Sequence, residues 1–425
     1  MSKHRRSWRT GSLLAAIMTA TACAAVVRAD GPARAEIRVG IEAGDIRGED
    51  QRALQSAVDQ VASLGGGTVY VGPGRYVMRN ALRLRNHVDV RGVPGKSVHV
   101  ACDGVEARLA CDGDCNERQI TLEKPDGFRI GDGVSIQDEH SGGFTVTTAT
   151  LTGRPDDRTF TLSAPLYLDY MVASRATART AFPIVGGSGV RDASVEGLTI
   201  EGNRARRGKL DGCRGGGIYL FECEDITIRD CVVRGYNGDG ISFQVSQRVT
   251  VQRCTVEGNA GLGLHPGSGS QHPVVKGNHS TGNDGDGLFV CWRVKFGVFE
   301  GNELRGNAGA GVSIGHKDTD NLFRGNVIAG NRSTGVLFRD ETEPMGAHRN
   351  VFENNRIVDN GGSRTAVAVT IRGHHRDLVF RGNTIGATGP GASTSIGILR
   401  SEHAEGLRSE GNRFVGVRAE VEPLR

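Results

Sequence analysis

A short pattern returns through the second half of the chain, and it limits the fold more than any other feature. A Gly followed by three residues of alternating inward and outward character recurs at Gly217, Gly240, Gly263, Gly287, Gly311 and Gly335, at intervals of 23 or 24 residues. So short a period has room for strands of a few residues each and for no helix between them. It therefore specifies an all-β solenoid of parallel strands, each turn covering the one before.

Other columns keep the same register. Val251, Val275, Phe299, Phe323, Phe352 and Phe380 recur before a turn and are expected to stack inside the cylinder. Cys254, Asn278, Asn302, Asn326, Asn355, Asn383 and Asn412 follow them, and Asn259, Asn283, Asn307, Asn331 and Asn360 form a second column. An Asn amide bonded to the Asn of the next coil, about 4.8 Å away, satisfies turn groups that would otherwise be unpaired. These Asn are read as structural. Cys231 and Cys254 share a column one coil apart, which suits stacked thiols as well as a bond.

Upstream, Leu54, Ala57, Val58, Val61 and Leu64 mark one face of a helix over Glu49 to Leu64, stopped by Gly65-Gly66-Gly67. A solenoid exposes its first coil, and an amphipathic helix would cap it. Thr68 to Val71, Arg75 to Met78 and Leu82 to Val90 supply the first strands. Residues 111 to 182 break the period, and alternation in Phe144 to Leu151 and Thr159 to Leu162 predicts a small antiparallel insertion.

The first residues read as an address. Lys3, Arg5, Arg6 and Arg9 precede a largely apolar run from Leu13 to Val27 with small-residue cleavage sites beyond it, so residues 1–29 are expected to be a signal peptide. That run is too short to span a bilayer, and no later segment is apolar for about 18 residues, so no membrane contact is expected after cleavage and the mature protein is expected to be secreted or periplasmic. The formal charge of +4 includes five basic residues of the leader, leaving the remainder near neutral and excluding an ordinary nucleic-acid binder. Gly without a three-residue period and only 12 Pro exclude collagen, and 37% hydrophobic residues exclude a disordered chain. Eight Cys lie beyond the leader, with Cys111 and Cys115 or Cys213 and Cys223 as local disulfide candidates in an oxidising compartment. Their spacing does not suit structural zinc.

The helix followed by GGGTVYVGPGRYVM, and later EGLTIEGN with repeated N-x-x-x-x-N coils, resembles the pectate-lyase-like right-handed parallel β-helix proteins of secreted bacterial type. The resemblance runs over roughly residues 40 to 420. It implies a right-handed parallel β-helix with a groove on one sheet that accepts a polysaccharide. The expected layout is a leader (1–29), a capping helix with the first coils (36–110), a β insertion (111–182) and the helix repeats (183–425). Such a chain is expected to be a monomer.

With coils in register, residues after each repeated strand lie above one another on one flank. They include Trp292, Arg293, His316, Lys317, Asp318, Arg339 and Glu341, while Tyr219, Ser242, His265, Phe289 and Ser313 point outward within the strands. Cations, imidazoles and aromatic faces on a rigid scaffold suit an acidic sugar chain. Opening a uronan by β-elimination needs its carboxylate neutralised, the neighbouring proton removed and the leaving oxygen protonated. Arg293, Lys317 and Arg339 would supply the charge, His265, His316 or Lys317 would take the proton, and Trp292 or Tyr219 would stack on a sugar, with Asp318 and Glu341 on the same binding edge. A C5 epimerase could use the same groups, although the Asp-Pro-His signature of mannuronan epimerases is absent and Leu264-His265-Pro266 stands nearest to it. His265 has a structural alternative as a turn residue bonded to a backbone carbonyl, and Trp292 as packing across the turn.

Hydrolysis is the second reading. Asp239 and Asp286 share a column two coils apart, about 9.6 Å between backbones, close to the upper separation of an inverting pair. Both could equally fix the turn before Gly240 and Gly287. The third reading is a non-catalytic carbohydrate-binding protein. No cofactor is assigned. Because many pectate lyases use calcium, Asp284, Asp286, Asp318 and Asp320 are its candidate ligands, though not in an EF-hand spacing.

Overall fold

The computed structural model describes residues 34–362, 366–389 and 395–424; the leader lies outside them. Each coil contributes one strand to each of three long sheets. Strands such as Ile218–Phe221 and Ile241–Gln244 build an 11-stranded first sheet, Glu224–Arg229 and Thr250–Gln252 belong to a 13-stranded second sheet, and Val232–Arg234 and Thr255–Glu257 to an 11-stranded third. The first sheet shifts register at Ser395 and Ile396 in its last pair, and all three pair parallel from coil to coil, for example Ser242 beside His265 and Val275 beside Phe299. That regularity follows from the constant period: one rung is one repeat, so identical positions meet.

The short turns explain the glycines. At the corner between the second and third sheets, Gly277, Gly301, Gly325, Gly382 and Gly411 all have φ near +60°, and Asp230, Arg253 and Asn354 occupy the same conformation elsewhere in the column. One left-handed residue per corner bends the chain, and Gly adopts it without a Cβ penalty. The Gly before each first-sheet strand answers a different need, because a Cβ on Gly263 would lie 2.7 Å from Gly287 O.

Inside the cylinder the Phe column stacks as expected. Ring centroids are 4.7 Å apart for Phe299 and Phe323, 4.4 Å for Phe323 and Phe352, and 5.0 Å for Phe352 and Phe380. Both Asn columns form ladders. Asn278 Nδ2 donates to Asn302 Oδ1 at 2.9 Å and Asn259 Nδ2 to Asn283 Oδ1 at 2.9 Å, and the pattern repeats upward. Cys231 and Cys254 stack as buried thiols, and all eight described cysteines are free.

The helix spans Gln51–Ser63, capped by Asp50, whose side chain accepts from Arg52 N at 3.0 Å. Leu54, Ala57, Val58 and Val61 are buried on the first coil. Leu64, expected on that face, is exposed because the helix has ended and its backbone forms the C-cap. A six-stranded antiparallel sheet over Glu106–Arg179 carries its own core around Leu109, Phe160 and Tyr170. It begins earlier than residue 111 because Glu106–Arg108 already pairs with Thr177–Arg179. Arg79 fastens it to the solenoid through Asp132, at 2.7 Å. Among the described residues no helix is long and apolar enough to cross a membrane.

Candidate active site

The outward column of the first sheet would ordinarily face water, since strand side chains alternate between core and surface. Here Tyr219, Ser242 and His265 follow one another on successive rungs, and all three are buried. The loop between the third-sheet strand Thr199–Glu201 and Ile218 lies across them. Tyr219 OH donates to Cys213 O and Ser242 Oγ to Gly212 O, each at 2.7 Å. Beyond His265 the column emerges at the half-buried Phe289.

Asp239 precedes Gly240 at the turn into this sheet. Its Oδ1 accepts from Leu262 N at 2.8 Å, holding the next coil's turn, and its Oδ2 lies 2.7 Å from His265 Nδ1. Both side chains are about 5% exposed. A carboxylate oxygen accepts, so Nδ1–H is the donor of this contact, and in the neutral imidazole that tautomer carries its lone pair on Nε2. Gln244 Nε2, 3.4 Å from that Nε2 and 3.0 Å from Ser242 Oγ, is oriented as the donor this tautomer needs. Gln244 Oε1 is buried with no partner in the protein. Gly267 leaves it room, since a Cβ there would stand 2.3 Å from Oε1.

Asp286, two rungs beyond Asp239, is used similarly, accepting from Ala310 N at 2.5 Å. Burial raises its carboxyl above the usual range, against the opposing pull of Ala310 N–H, Arg339 and Ser313. Phe289 stands between His265 and Arg339: His265 meets its edge at 5.2 Å, and the Arg339 guanidinium lies 4.6 Å from its centroid.

Arg339 is fixed at both ends. Its guanidinium donates to Ser313 Oγ at 3.0 Å, Val290 O at 3.0 Å and Asp318 Oδ2 at 3.2 Å. His375, buried and held neutral because burial lowers it to about 4, accepts from Ala347 N on Nδ1 and contacts Arg339 O through Nε2 at 2.9 Å. Glu341 accepts from His316 N at 2.9 Å and lies 3.3 Å from His316 Nδ1. Trp292, half exposed, stacks on His316 at 4.2 Å. The flank thus runs continuously from Asp239 and His265 through Phe289 and Arg339 to Glu341, His316 and Trp292.

Three expected site residues take other places. Asp318, expected to touch sugar, has no exposed side-chain surface. It stands in a buried turn column with Ser246 and Ser270, accepts from Val294 N and Gly315 N, and positions Arg339. Burial pushes its carboxyl up to about 7, with Arg339 pulling the other way. Arg293 and Lys317 lie on the turns with φ of 69° and 65°, and their side chains form no hydrogen bond with the cluster. The calcium candidates do not fit a shared site. Asp284 pairs with Arg204, Asp320 with Arg349 and Asp318 with Arg339, and the described residues hold no group of three or more metal-capable side chains. The contact between Asp239 and His265, the seating of Gln244 beside them and the guanidinium of Arg214 near Tyr219 went unread in the sequence.

Three parallel sheets and internal Asn ladders define a parallel β-helix protein. Residues 184–343 and 297–419 match the right handed beta helix region model, more than half of the chain, and the chain belongs to that family. Similar solved structures include the A-modules of two Azotobacter vinelandii mannuronan C-5 epimerases. AlgE4 is 18% identical, with 90% of this chain and 97% of that chain covered and a TM-score of 0.56. AlgE6 is 16% identical, with 88% and 96% covered and a TM-score of 0.55. A Thermotoga maritima exopolygalacturonase is 12% identical, with 91% of each chain covered and a TM-score of 0.50. No curated protein matches in sequence.

Proposed function

We propose that this protein acts on a uronic-acid-containing polysaccharide by removing the proton beside a sugar carboxylate, with β-elimination as the outcome. The observation that carries this reading is the division of labour around Asp239. Its two oxygens are committed to Leu262 N and His265 Nδ1, so the acid–base atom this dyad leaves is His265 Nε2, which substrate would have to take over from Gln244 Nε2, 3.4 Å away. The same commitment weakens hydrolysis by a carboxylate pair, which needs Asp239 free to activate water. Arg339, on the other side of Phe289, supplies the positive charge that stabilises negative charge on the substrate acid. Trp292 offers a face for a sugar ring. The solved neighbours, two mannuronan C-5 epimerase modules and an exopolygalacturonase, support the substrate class. Export through the basic and apolar leader suits a polymer that stays outside the cell.

The test is a panel of soluble polyuronides monitored for an unsaturated product in the near ultraviolet and for new reducing ends. Both signals are expected, and both should fall by about 10²- to 10⁴-fold in His265→Gln. Reducing ends without the chromophore would replace elimination by hydrolysis. A changed sugar composition without cleavage would replace it by epimerisation.

A further inference from the structure

Upstream of the dyad, the antiparallel insertion and the first sheet enclose a cleft of about 650 Å³ that the chemistry above does not use. Its floor is the same outward column: Gly186 pairs with Tyr219, Tyr219 with Ser242 and Ser242 with His265. At about 4.8 Å per rung, the floor lies about 10 to 14 Å from His265. The lining holds three Arg and not one Asp or Glu. Arg85 is paired with Asp59 at 2.9 Å, but Arg83 and Arg214 form no ion pair among the described residues. The Arg83 guanidinium donates to Thr150 Oγ1 at 2.7 Å, which aims it along the insertion wall. Arg214 donates to Phe144 O and lies over the rings of Phe144 and Tyr167, and its Nε is buried without a partner. Elsewhere on this surface Arg residues repeatedly find carboxylates, as Arg248 does with Asp225 and Arg349 with Asp320. Two guanidiniums left uncompensated in one concave site are a strong local field for an anion. Tyr219 and Phe221 add apolar faces in the same cleft.

We propose that this cleft is a binding site for a carboxylate-bearing sugar of the same polymer, held by Arg83 and Arg214 while a sugar further along the same chain lies at His265. The assignment of the anion to a uronate rests on the function proposed above. The insertion is then a recognition element: its wall aims Arg83, and its Phe144 and Tyr167 support Arg214.

The experiment measures binding of short oligogalacturonates and oligomannuronates to the full-length His265→Gln protein by calorimetry, so that ligand is not consumed. Arg83→Gln and Arg214→Gln in that background are each expected to weaken binding roughly ten- to a hundredfold, with a neutral cello-oligosaccharide unaffected. Arg214→Lys keeps the charge but loses the planar fork, and it too should bind more weakly, which guards against a misfolded Gln variant. Unchanged affinity in Arg83→Gln and Arg214→Lys would overturn the proposal, and so would tighter binding of a sulfated oligosaccharide than of either uronate. The two readings fail separately. Wild-type turnover that survives Arg83→Gln with unchanged KM removes the cleft and keeps the chemistry. Arginine-dependent uronate binding without wild-type turnover does the reverse.

Discussion

Asp239→Asn separates the dyad from the alternatives with one nitrogen atom. The carboxylate makes two contacts, 2.8 Å to Leu262 N and 2.7 Å to His265 Nδ1. The amide retains the first, because its oxygen still accepts from Leu262 N. At the second, a nitrogen donor replaces the acceptor, so His265 must present Nδ1 as a lone pair and move its proton to Nε2. The proposed base is then protonated on Nε2, the atom that the mechanism needs as a lone pair. Steric volume is unchanged and the turn remains bonded, so stability should fall by only about 1 to 3 kcal/mol, the cost of one altered buried charge-assisted bond. Turnover should fall about 10²- to 10⁴-fold, as expected when a base is held in the wrong tautomer. The assay is the rate of unsaturated-uronate formation at saturating polymer, with denaturant unfolding in parallel. Asp286→Asn is the comparison, since its bond to Ala310 N survives in the amide and His265 is untouched. Turnover within about threefold of wild type in a folded Asp239→Asn protein would refute the dyad. Equal large losses at both Asp, with reducing ends but no chromophore, would favour the paired-carboxylate mechanism.

Asp318 gives a pH signature. Its folded value of about 7 stands above the unfolded value of 3.8, so the protonated form contributes stability fully below about pH 4, lost as pH rises through 7. The wild-type unfolding free energy should decline across that window by up to about 4 kcal/mol relative to Asp318→Asn, and parallel curves for the two proteins would count against it. Asn302→Ala removes a side chain that accepts from Asn278 and donates to Val275 O and Asn326 Oδ1. Urea unfolding should show a loss of about 3 to 5 kcal/mol, and a loss below about 1 kcal/mol would mean the ladder is redundant. Trp292→Ala, which removes a half-exposed ring stacked on His316, should raise KM about tenfold with little change in kcat; an equal fall in kcat would place the ring in the chemistry instead.

The scaffold was legible because a solenoid converts sequence distance into height. Once Gly240, Gly263 and Gly287 fix the period, the neighbours of Val275 and Asn278 in the coils above and below follow by counting, and the register between coils agrees. Asp318 shows the same arithmetic applied too sparingly. It falls in the column of Ser246 and Ser270, both buried turn residues that accept from the coil below, and that alignment already marked it as internal. Chemical type alone does not distinguish a carboxylate that grips a turn from one that faces solvent.

Counting along columns fails for the diagonal contacts that make a site. Asp239 and His265 lie on adjacent rungs but in different columns, and only the side-chain directions bring Oδ2 to Nδ1. The sequence therefore offered Asp239 its vertical partner, Asp286, and left His265 to a separate mechanism. The insertion is harder still, because it breaks the period that made everything else countable. Nothing in residues 111 to 182 states that Thr150 will stand beside Arg83 or that Phe144 and Tyr167 will carry Arg214. Those contacts arise when an antiparallel sheet with its own core docks through Arg79 and Asp132 onto a repeat that does not encode it. In a β-helix the coils thus supply a rigid column of outward positions, and what departs from the coil, the covering loop over Tyr219 and Ser242 and the insertion wall, decides which positions are dry and which are charged.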